Sequence, residues 1–381
     1  MKGGVMESQQ GSGGISSSQA SETVAGIAEL ATQAEVDNEA DDVRIVTPLK
    51  LSKIKRRMTT NSVMIGNLTL ATSRSSNAET ISIKTMAGTD PSSSDPVYLA
   101  FEDGAGGFSV VSITSALSLT ISSGSTLGAT SGEPFRIWVV LFNDAGTFRL
   151  GAIKCYTGTG IVGLEDNGVA SSTAEGGAGA ADSAGVFYTG TAVTSKVYRI
   201  LGRLDYTLTT AGTWVTAPTI RLFSQGSKLP GDVVTFGRNS TLSVVDCNAV
   251  TPYDDTIPQS AEVVQIVSCS ITPKSACNLI RVNGEFSGQL SSSGAGSIAC
   301  IFKNSGDSAS RVAITYSPGS SPVVSPVLEL VEIANSISST TYALCCGLTS
   351  SQSLYVNGNS SGGRTFGGSM ESFISIEEIM V

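Results

Sequence analysis

Short runs in which apolar and polar residues alternate, each closed by a glycine, serine or proline turn, recur from residue 61 onward. That rhythm commits most of the chain to β-sheet. Thr80-Ile81-Ser82-Ile83 and Leu117-Ser118-Leu119-Thr120-Ile121 alternate as half-buried strands do. Arg136-Ile137-Trp138-Val139-Val140-Leu141-Phe142 is a continuous apolar run of strand length and reads as a central strand covered on both faces. Asn143-Asp144-Ala145-Gly146 then reads as a hairpin turn, returning through Phe148-Arg149-Leu150 to Tyr156. A long strand is expected over Lys196–Leu208, with a bulge at Gly202. The 42 glycines fit many turns and few helices.

A length of 381 residues suggests two or three domains, and a hydrophobic fraction of 40% is enough for packed cores. Residues 1–20, rich in Gly, Ser and Gln, read as a flexible or partner-ordered tail. Residues 21–60 form a motif region with short helices, 61–225 a β-sandwich domain, and 226–258 a linker and crossing. Residues 259–381 carry eight strand-like runs joined by Ser/Gly turns, which suits a jelly-roll-like β-domain whose last strand closes the fold at Val381. Ala170 to Gly185 is too poor in bulky residues to pack and is expected as an exposed loop.

In the motif region Val24, Ile27 and Leu30 are spaced by three, with small residues between them. Such a segment cannot bury enough apolar surface alone, and gains stability when several copies pack around an axis. Thr32 with Glu35 makes a capping box, so a short helix should start at Gln33. Thr47-Pro48 supplies a second N-cap and first-turn proline, followed by a basic amphipathic turn from Leu49 to Arg57. The run Gly26-Ile27-Ala28-Glu29-Leu30-Ala31-Thr32 and the later Arg44-Ile45-Val46-Thr47-Pro48-Leu49-Lys50-Leu51 together resemble the short repeat of bacteriophage tail-fibre proteins. The stretch from Trp138 to Phe223 resembles a β-domain recurrent in phage tail proteins, and Ile271 to Ile379 resembles the terminal β-domains of trimeric phage fibres. The resemblance implies a homotrimeric virion protein, tail fibre or spike. It would be assembled in the host bacterial cytoplasm, attached to other virion proteins through its N-terminus, and carried on the tail or another external appendage. Val24, Ile27 and Leu30 would then lie at the trimer axis.

Composition excludes several chemistries. There is no histidine, which removes Ser-His-Asp and Cys-His catalysis and His-lined metal sites. The net charge of −9 disfavours nucleic acid as a partner, and the small cluster Lys50 to Arg57 reads as a solvated helix face. The seven cysteines form no CxxC pairs and sit in apolar runs, as buried free thiols do in a reducing compartment. Cys345-Cys346, being adjacent, should point to opposite faces of one strand. No apolar run is long enough to span a membrane and no secretory signal is visible, so no membrane insertion is expected. No cofactor or metal is expected either.

Asp205 and the adjacent Glu165-Asp166 are the carboxylates to weigh for acid/base work. A glycosidase needs two facing carboxylates, and two neighbours in sequence do not suggest that pair. Ser270 and Lys274 match a Ser-Lys spacing of no specificity, and Gly104-Ala105-Gly106-Gly107 reads as a hairpin loop. No catalytic residue is assigned. Binding is expected at loops on a rigid sandwich, with Ser317–Pro322 and Tyr355–Thr365 the preferred loops and Tyr316, Tyr355, Asn357 and Arg364 the contact residues for a host cell-surface glycan or protein. The sequence therefore reads as mainly β: a short helical N-terminal region followed by two antiparallel β-sandwich domains, assembled as a homotrimer that mediates attachment. Two alternatives stand beside it. A trimeric head fibre, decoration or tail-adaptor protein is favoured by the shortness of the chain, and a glycan-degrading tailspike enzyme comes behind that.

Overall fold

The computed structural model describes residues 65–102, 107–180, 182–224, 226–316 and 319–381. The short helices expected before residue 60, and the axial residues Val24, Ile27 and Leu30, lie outside the described residues. Within them the protein is mainly β. The only helical turns among the described residues are two short 3-10 segments, Ser260–Glu262 and Phe366–Gly368.

The strands in chain order are β1 (Ile65–Gly66), β2 (Thr69–Ser75), β3 (Ala78–Lys84), β4 (Val97–Glu102), β5 (Phe108–Ile113), β6 (Leu117–Ile121), β7 (Pro134–Asp144) and β8 (Thr147–Ile153). There follow β9 (Asn167–Ala170), β10 (Thr173–Ala174), β11 (Tyr188–Thr189), β12 (Lys196–Thr207), β13 (Thr219–Leu222), β14 (Val233–Thr241), β15 (Val245–Cys247) and β16 (Val264–Ile271). The last are β17 (Leu279–Glu285), β18 (Gly288–Leu290), β19 (Gly296–Lys303), β20 (Arg311–Tyr316), β21 (Val323–Val324), β22 (Val327–Ile333), β23 (Thr340–Leu348), β24 (Leu354–Val356) and β25 (Ser372–Ile379). The described residues divide into two compact units, those within 65–66 and 98–112 and those within 67–97 and 113–381. In the smaller unit, β1, β4 and β5 form a three-stranded sheet, with Ile65 opposite Leu99.

The larger unit begins with the sheet β2-β3-β6 and a seven-stranded sheet ordered β10-β11-β8-β7-β12-β13, with β9 also on β12. All named pairings in these sheets are antiparallel except β10 with β11. Pro134 through Phe142 are all buried, as a strand flanked by β8 and β12 and covered on both faces must be. The β7–β8 hairpin turns at Ala145 and Gly146, both left-handed (φ 52° and 90°), and the Gly146 amide donates to Asn143 Oδ1 at 2.8 Å. The register of β12 slips between Ile200 and Gly202. A Cβ on Gly202 would stand 2.6 Å from the Arg221 carbonyl oxygen and 3.0 Å from Leu70, so the bulge brings backbone and the small sheet close together. Phe135 stacks on Tyr206 at 5.5 Å and Trp214 meets Tyr206 edge-on at 5.2 Å, with Trp214 Nε1 donating to the Ser125 carbonyl.

The segment 170–185, expected as an exposed loop, is largely exposed among its described residues and is anchored by its two carboxylates. Glu175 accepts from the Ser122 amide (2.9 Å) and hydroxyl (2.8 Å), and the buried Asp182 accepts from Ser125 Oγ at 2.8 Å. Hydrogen bonds supply the anchoring that its small side chains cannot.

Residues 233–381 form a jelly roll. The half-sheets β14-β25-β17-β22 and β15-β24-β18-β21 are built from the same four lanes, because β14/β15, β17/β18, β21/β22 and β24/β25 are consecutive pieces of chain. Numbering the eight lanes in chain order, one sheet reads 1-8-3-6. The facing sheet, β16-β23-β19-β20, reads 2-7-4-5. This is the double Greek key of the jelly roll. Between the sheets Ile280, Val282, Leu328, Ile374 and Ile376 meet Ala299, Ile301, Leu344 and Cys346. Each large aliphatic side chain there contributes roughly 1.5–3 kcal/mol by leaving water. Cys346 faces this core, while Cys345 joins Ile298, Cys300, Phe302 and Ala343 on the opposite face of β23 and β19.

The first lane lies inside 226–258, the stretch expected as linker and crossing. Its inward positions opposite Ile376 and Ile374 are Gly237 and Asn239, so the strand has no apolar stripe to read. The lane is thin because β16 packs on it, and a Cβ at Gly237 would stand 3.2 Å from Cys269 Sγ.

A buried polar network ties this jelly roll to β7 and β12. Arg136, 1% exposed, pairs with Asp205 and donates to Asn278 Oδ1 at 2.7 Å. Asn278 in turn donates to Glu378 at 2.7 Å, and Glu378 also accepts the Lys274 and Ser275 amides. Trp138 Nε1 donates to the Val381 backbone oxygen at 2.9 Å.

Candidate functional site

Between β24 and β25 the chain leaves the sheet and forms an ordered excursion over residues 357–371. Asn359 organises its first half: its Oδ1 accepts the Ser361 and Gly363 amides (3.0 and 2.9 Å), and its backbone exchanges hydrogen bonds with Gly362 and Gly363. Gly358 bridges Arg364. Arg364 donates to the Gly367 carbonyl at 3.1 Å and lies over Gly368, where any Cβ would collide with the guanidinium. These contacts hold Phe366 left-handed (φ 47°) and 82% exposed. A bulky residue in that region costs on the order of 1–3 kcal/mol, and such strain concentrates at functional sites.

A second loop stands beside the excursion. On the outward face of the short half-sheet, Gln289 is opposite both Tyr355 and Val323. Its side chain donates to the Ser321 carbonyl at 2.9 Å and accepts the Ser360 amide at 2.9 Å. One amide group thus links the β20–β21 loop to the β24–β25 excursion, the two loops expected to carry contacts. Nothing in the sequence around Gln289 marks that role. Phe366 was signalled by its setting, an aromatic between Gly362-Gly363 and Gly367-Gly368.

The four expected contact residues have different positions. Tyr316 ends β20 at 67% exposure. Tyr355 is half-buried beneath the excursion, with Gly362 against its ring. Arg364 is exposed on the excursion. Asn357 is a correction: it is fully buried at φ 58°, its amide donates to the Thr241 and Ser243 carbonyls (3.0 and 3.1 Å), and its Oδ1 accepts Ser372 Oγ at 2.9 Å. It closes the base of the excursion and has no atoms to offer a partner.

A cleft of about 400 Å³ opens beside β7 and β8, lined by Glu133, Lys154, Tyr156, Thr157, Glu332 and Asn335 among others. Lys154 is 9% exposed, and burial pulls its pKa down against the opposing pull of Glu133. Its amine donates to the Tyr156 carbonyl and sits 5.5 Å from the Tyr156 ring centre. Glu332 is held by Lys303 at 2.7 Å and accepts the Tyr342 hydroxyl. The lining has the size and mixed polarity to hold a small polar molecule.

The carboxylates weighed for chemistry are placed apart. Asp205 is engaged by Arg136 and Ser275 in the junction network. Asp166 stands 3.7 Å from Arg199, and burial raises its pKa. Ser270 Oγ pairs with Thr341 Oγ1 at 2.7 Å. Among the described residues no group of three or more Cys, Asp or Glu is placed to hold a metal, and no helix is long and apolar enough to cross a membrane.

No protein-family model matches the chain, and no curated protein matches it. Among solved structures it is similar to the infectious bursal disease virus VP2 subviral particle, at 11% identity and a TM-score of 0.21, over 88% of this chain and 84% of that one. It is similar also to the Gt strain of that virus, at 12% identity and a TM-score of 0.20, over 85% and 78%. The insecticidal delta-endotoxin Cry8Ea1 of Bacillus thuringiensis overlaps at 8% identity and a TM-score of 0.19, over 87% of this chain and 56% of the toxin. Overlap at these TM-scores assigns no role.

Proposed function

We propose that this chain is a structural virion protein of a bacteriophage, assembled as a homotrimer, whose jelly roll carries the surface that attaches to a bacterial host. The N-terminal region, with Val24, Ile27 and Leu30 at the axis, would join it to other virion proteins, and the repeat-like motif at 20–51 supports that assignment. The observation that carries the attachment reading is the locked excursion over 357–371, which presents Phe366 on a backbone fixed before any partner arrives. A fixed loop loses little entropy on binding, and an exposed ring beside an arginine suits the face of a sugar or an apolar protein patch. Weak single contacts then add across three copies.

The test is binding of the fluorescently labelled full chain to a panel of bacterial strains and a glycan array. Phe366→Ala and Arg364→Ala should each lower retention about tenfold or more while leaving thermal stability unchanged. Full retention by both variants would overturn the assignment of this loop. Binding to purified virions with none to cells or glycans would overturn attachment in favour of a head-fibre, decoration or adaptor role.

A further inference from the structure

Arg203 of β12 and Arg221 of β13 stand directly opposite each other in the antiparallel register. Like charges in that relation repel and weaken a sheet. The same face carries Arg136 and Trp138 of β7, opposite Asp205 and Arg203. Three guanidinium groups therefore share this face with one carboxylate, in a chain whose net charge is −9. That carboxylate is already taken: Asp205 pairs with Arg136 and accepts Ser275 Oγ at 3.1 Å.

Arg203 is half-buried, its guanidinium 5.8 Å from the Trp138 ring centre. Of its nitrogens only Nη1 has a hydrogen-bond partner among the described residues, the Met380 sulfur at 3.4 Å, and its Nε is buried without one. Burial first, then Arg136, lowers the Arg203 pKa to about 10, with Asp205 opposing and Arg221 adding to the fall. Arg221 is exposed and makes no ion pair or side-chain hydrogen bond among the described residues. The two arginines line a concavity of about 210 Å³ together with Trp138, Ser224 and Ser227. Ser227 Oγ accepts the Ser224 amide at 3.0 Å, and the two hydroxyls meet at 3.3 Å. That contact uses one hydroxyl proton and leaves the other to donate elsewhere. The volume falls below the roughly 300–1,000 Å³ of pockets for drug-sized ligands, so it suits a single charged group. Guanidinium forks are rich in donors and have no acceptor, and a planar or tetrahedral oxyanion is their complement.

We propose that Arg203 and Arg221, with the Ser224 and Ser227 hydroxyls, bind one oxyanion group, a phosphate or a carboxylate, either free or carried on a sugar. An anion between the two guanidinium groups turns a repulsive cross-strand pair into a bridged one. The site is built on β12, β13 and the turn that follows, not on the excursion over 357–371, and it does not rest on host attachment.

The experiment is titration calorimetry of the full chain with inorganic phosphate, glucose 6-phosphate and glucuronate, against sodium chloride at matched ionic strength. Thermal unfolding is followed in the same solutions. At least one of the three is expected to bind at one site per chain and to raise the melting temperature as it saturates, where chloride does not. Tighter binding of glucose 6-phosphate or glucuronate than of phosphate would assign the group to a sugar, and phosphate binding as well or better would assign the free ion. Arg221→Gln and Arg203→Gln should each weaken binding about tenfold or more. Arg221→Glu sets a carboxylate opposite Arg203. It should abolish binding yet raise the melting temperature without ligand, a gain that misfolding would not give. The absence of saturable binding by all three probes overturns the proposal. So does binding that both Arg221 variants leave unchanged, or an Arg221→Glu chain less stable than the unaltered one.

Discussion

Arg136 holds the carboxylate of Asp205 in a two-point fork, Nε to Oδ1 at 2.6 Å and Nη2 to Oδ2 at 2.8 Å, while its remaining nitrogen reaches Asn278 across the junction with the jelly roll. With Arg136 1% exposed, removing one partner strands the other charge in the interior. Arg136→Ala and Asp205→Ala should each cost about 3–5 kcal/mol. The double replacement Arg136→Met with Asp205→Leu should cost clearly less than the two together. Urea unfolding of all three variants measures this, and additive losses would show that the pair is not coupled.

Glu79 gives a pH signature. It is fully buried, and loss of solvent raises its pKa above the ordinary 4.5, with Thr72 and Arg74 pulling the other way more weakly. A raised folded-state value means that its contribution to stability is complete below about pH 4.5 and is lost as pH climbs through the folded value. Glu79→Gln should therefore raise the melting temperature at pH 7.5 and change it little at pH 4. Equal shifts at both pH values would contradict the burial argument.

Thiol chemistry should be selective. All seven cysteines are free, and only Cys269 is more than slightly exposed. Burial pushes Cys300 and Cys345 up to about 12, so neither supplies thiolate at neutral pH. Iodoacetamide followed by mass spectrometry should find Cys269 labelled first, with the other six protected until the fold opens.

Asn357 and Arg364 should separate structure from contact. Asn357→Ala removes two donated hydrogen bonds and one accepted bond in a buried site, and should cost about 1–3 kcal/mol. Arg364→Ala, on an exposed segment, should leave the melting temperature nearly unchanged.

The features legible in the sequence were those written in one strand at a time. The apolar run of β7, the Asn143–Gly146 turn, the slip at Gly202 and the opposed faces of Cys345 and Cys346 each follow from local periodicity or turn chemistry. What escaped depended on a partner far along the chain. Strand β14 has glycine and asparagine where a core strand shows apolar residues, because β25 and β16 complete its surroundings. Glu175 and Asp182 looked like loop carboxylates until Ser122 and Ser125 came to them. Asn357 read as a polar tip residue because nothing in its neighbours announces Thr241 or Ser372. The site was half legible for the same reason: its loops were visible as glycine-rich segments, while the Gln289 side chain that joins them was not.

The excursion over 357–371 departs from and returns to a single lane of the sheet, with Val356 and Ser372 both buried at its roots. Its length and composition can therefore drift without moving the register of any strand. The scaffold behaves as a socket and the excursion as an interchangeable cassette. Swapping that segment between otherwise similar chains would change the surface presented while the frame stays as it is.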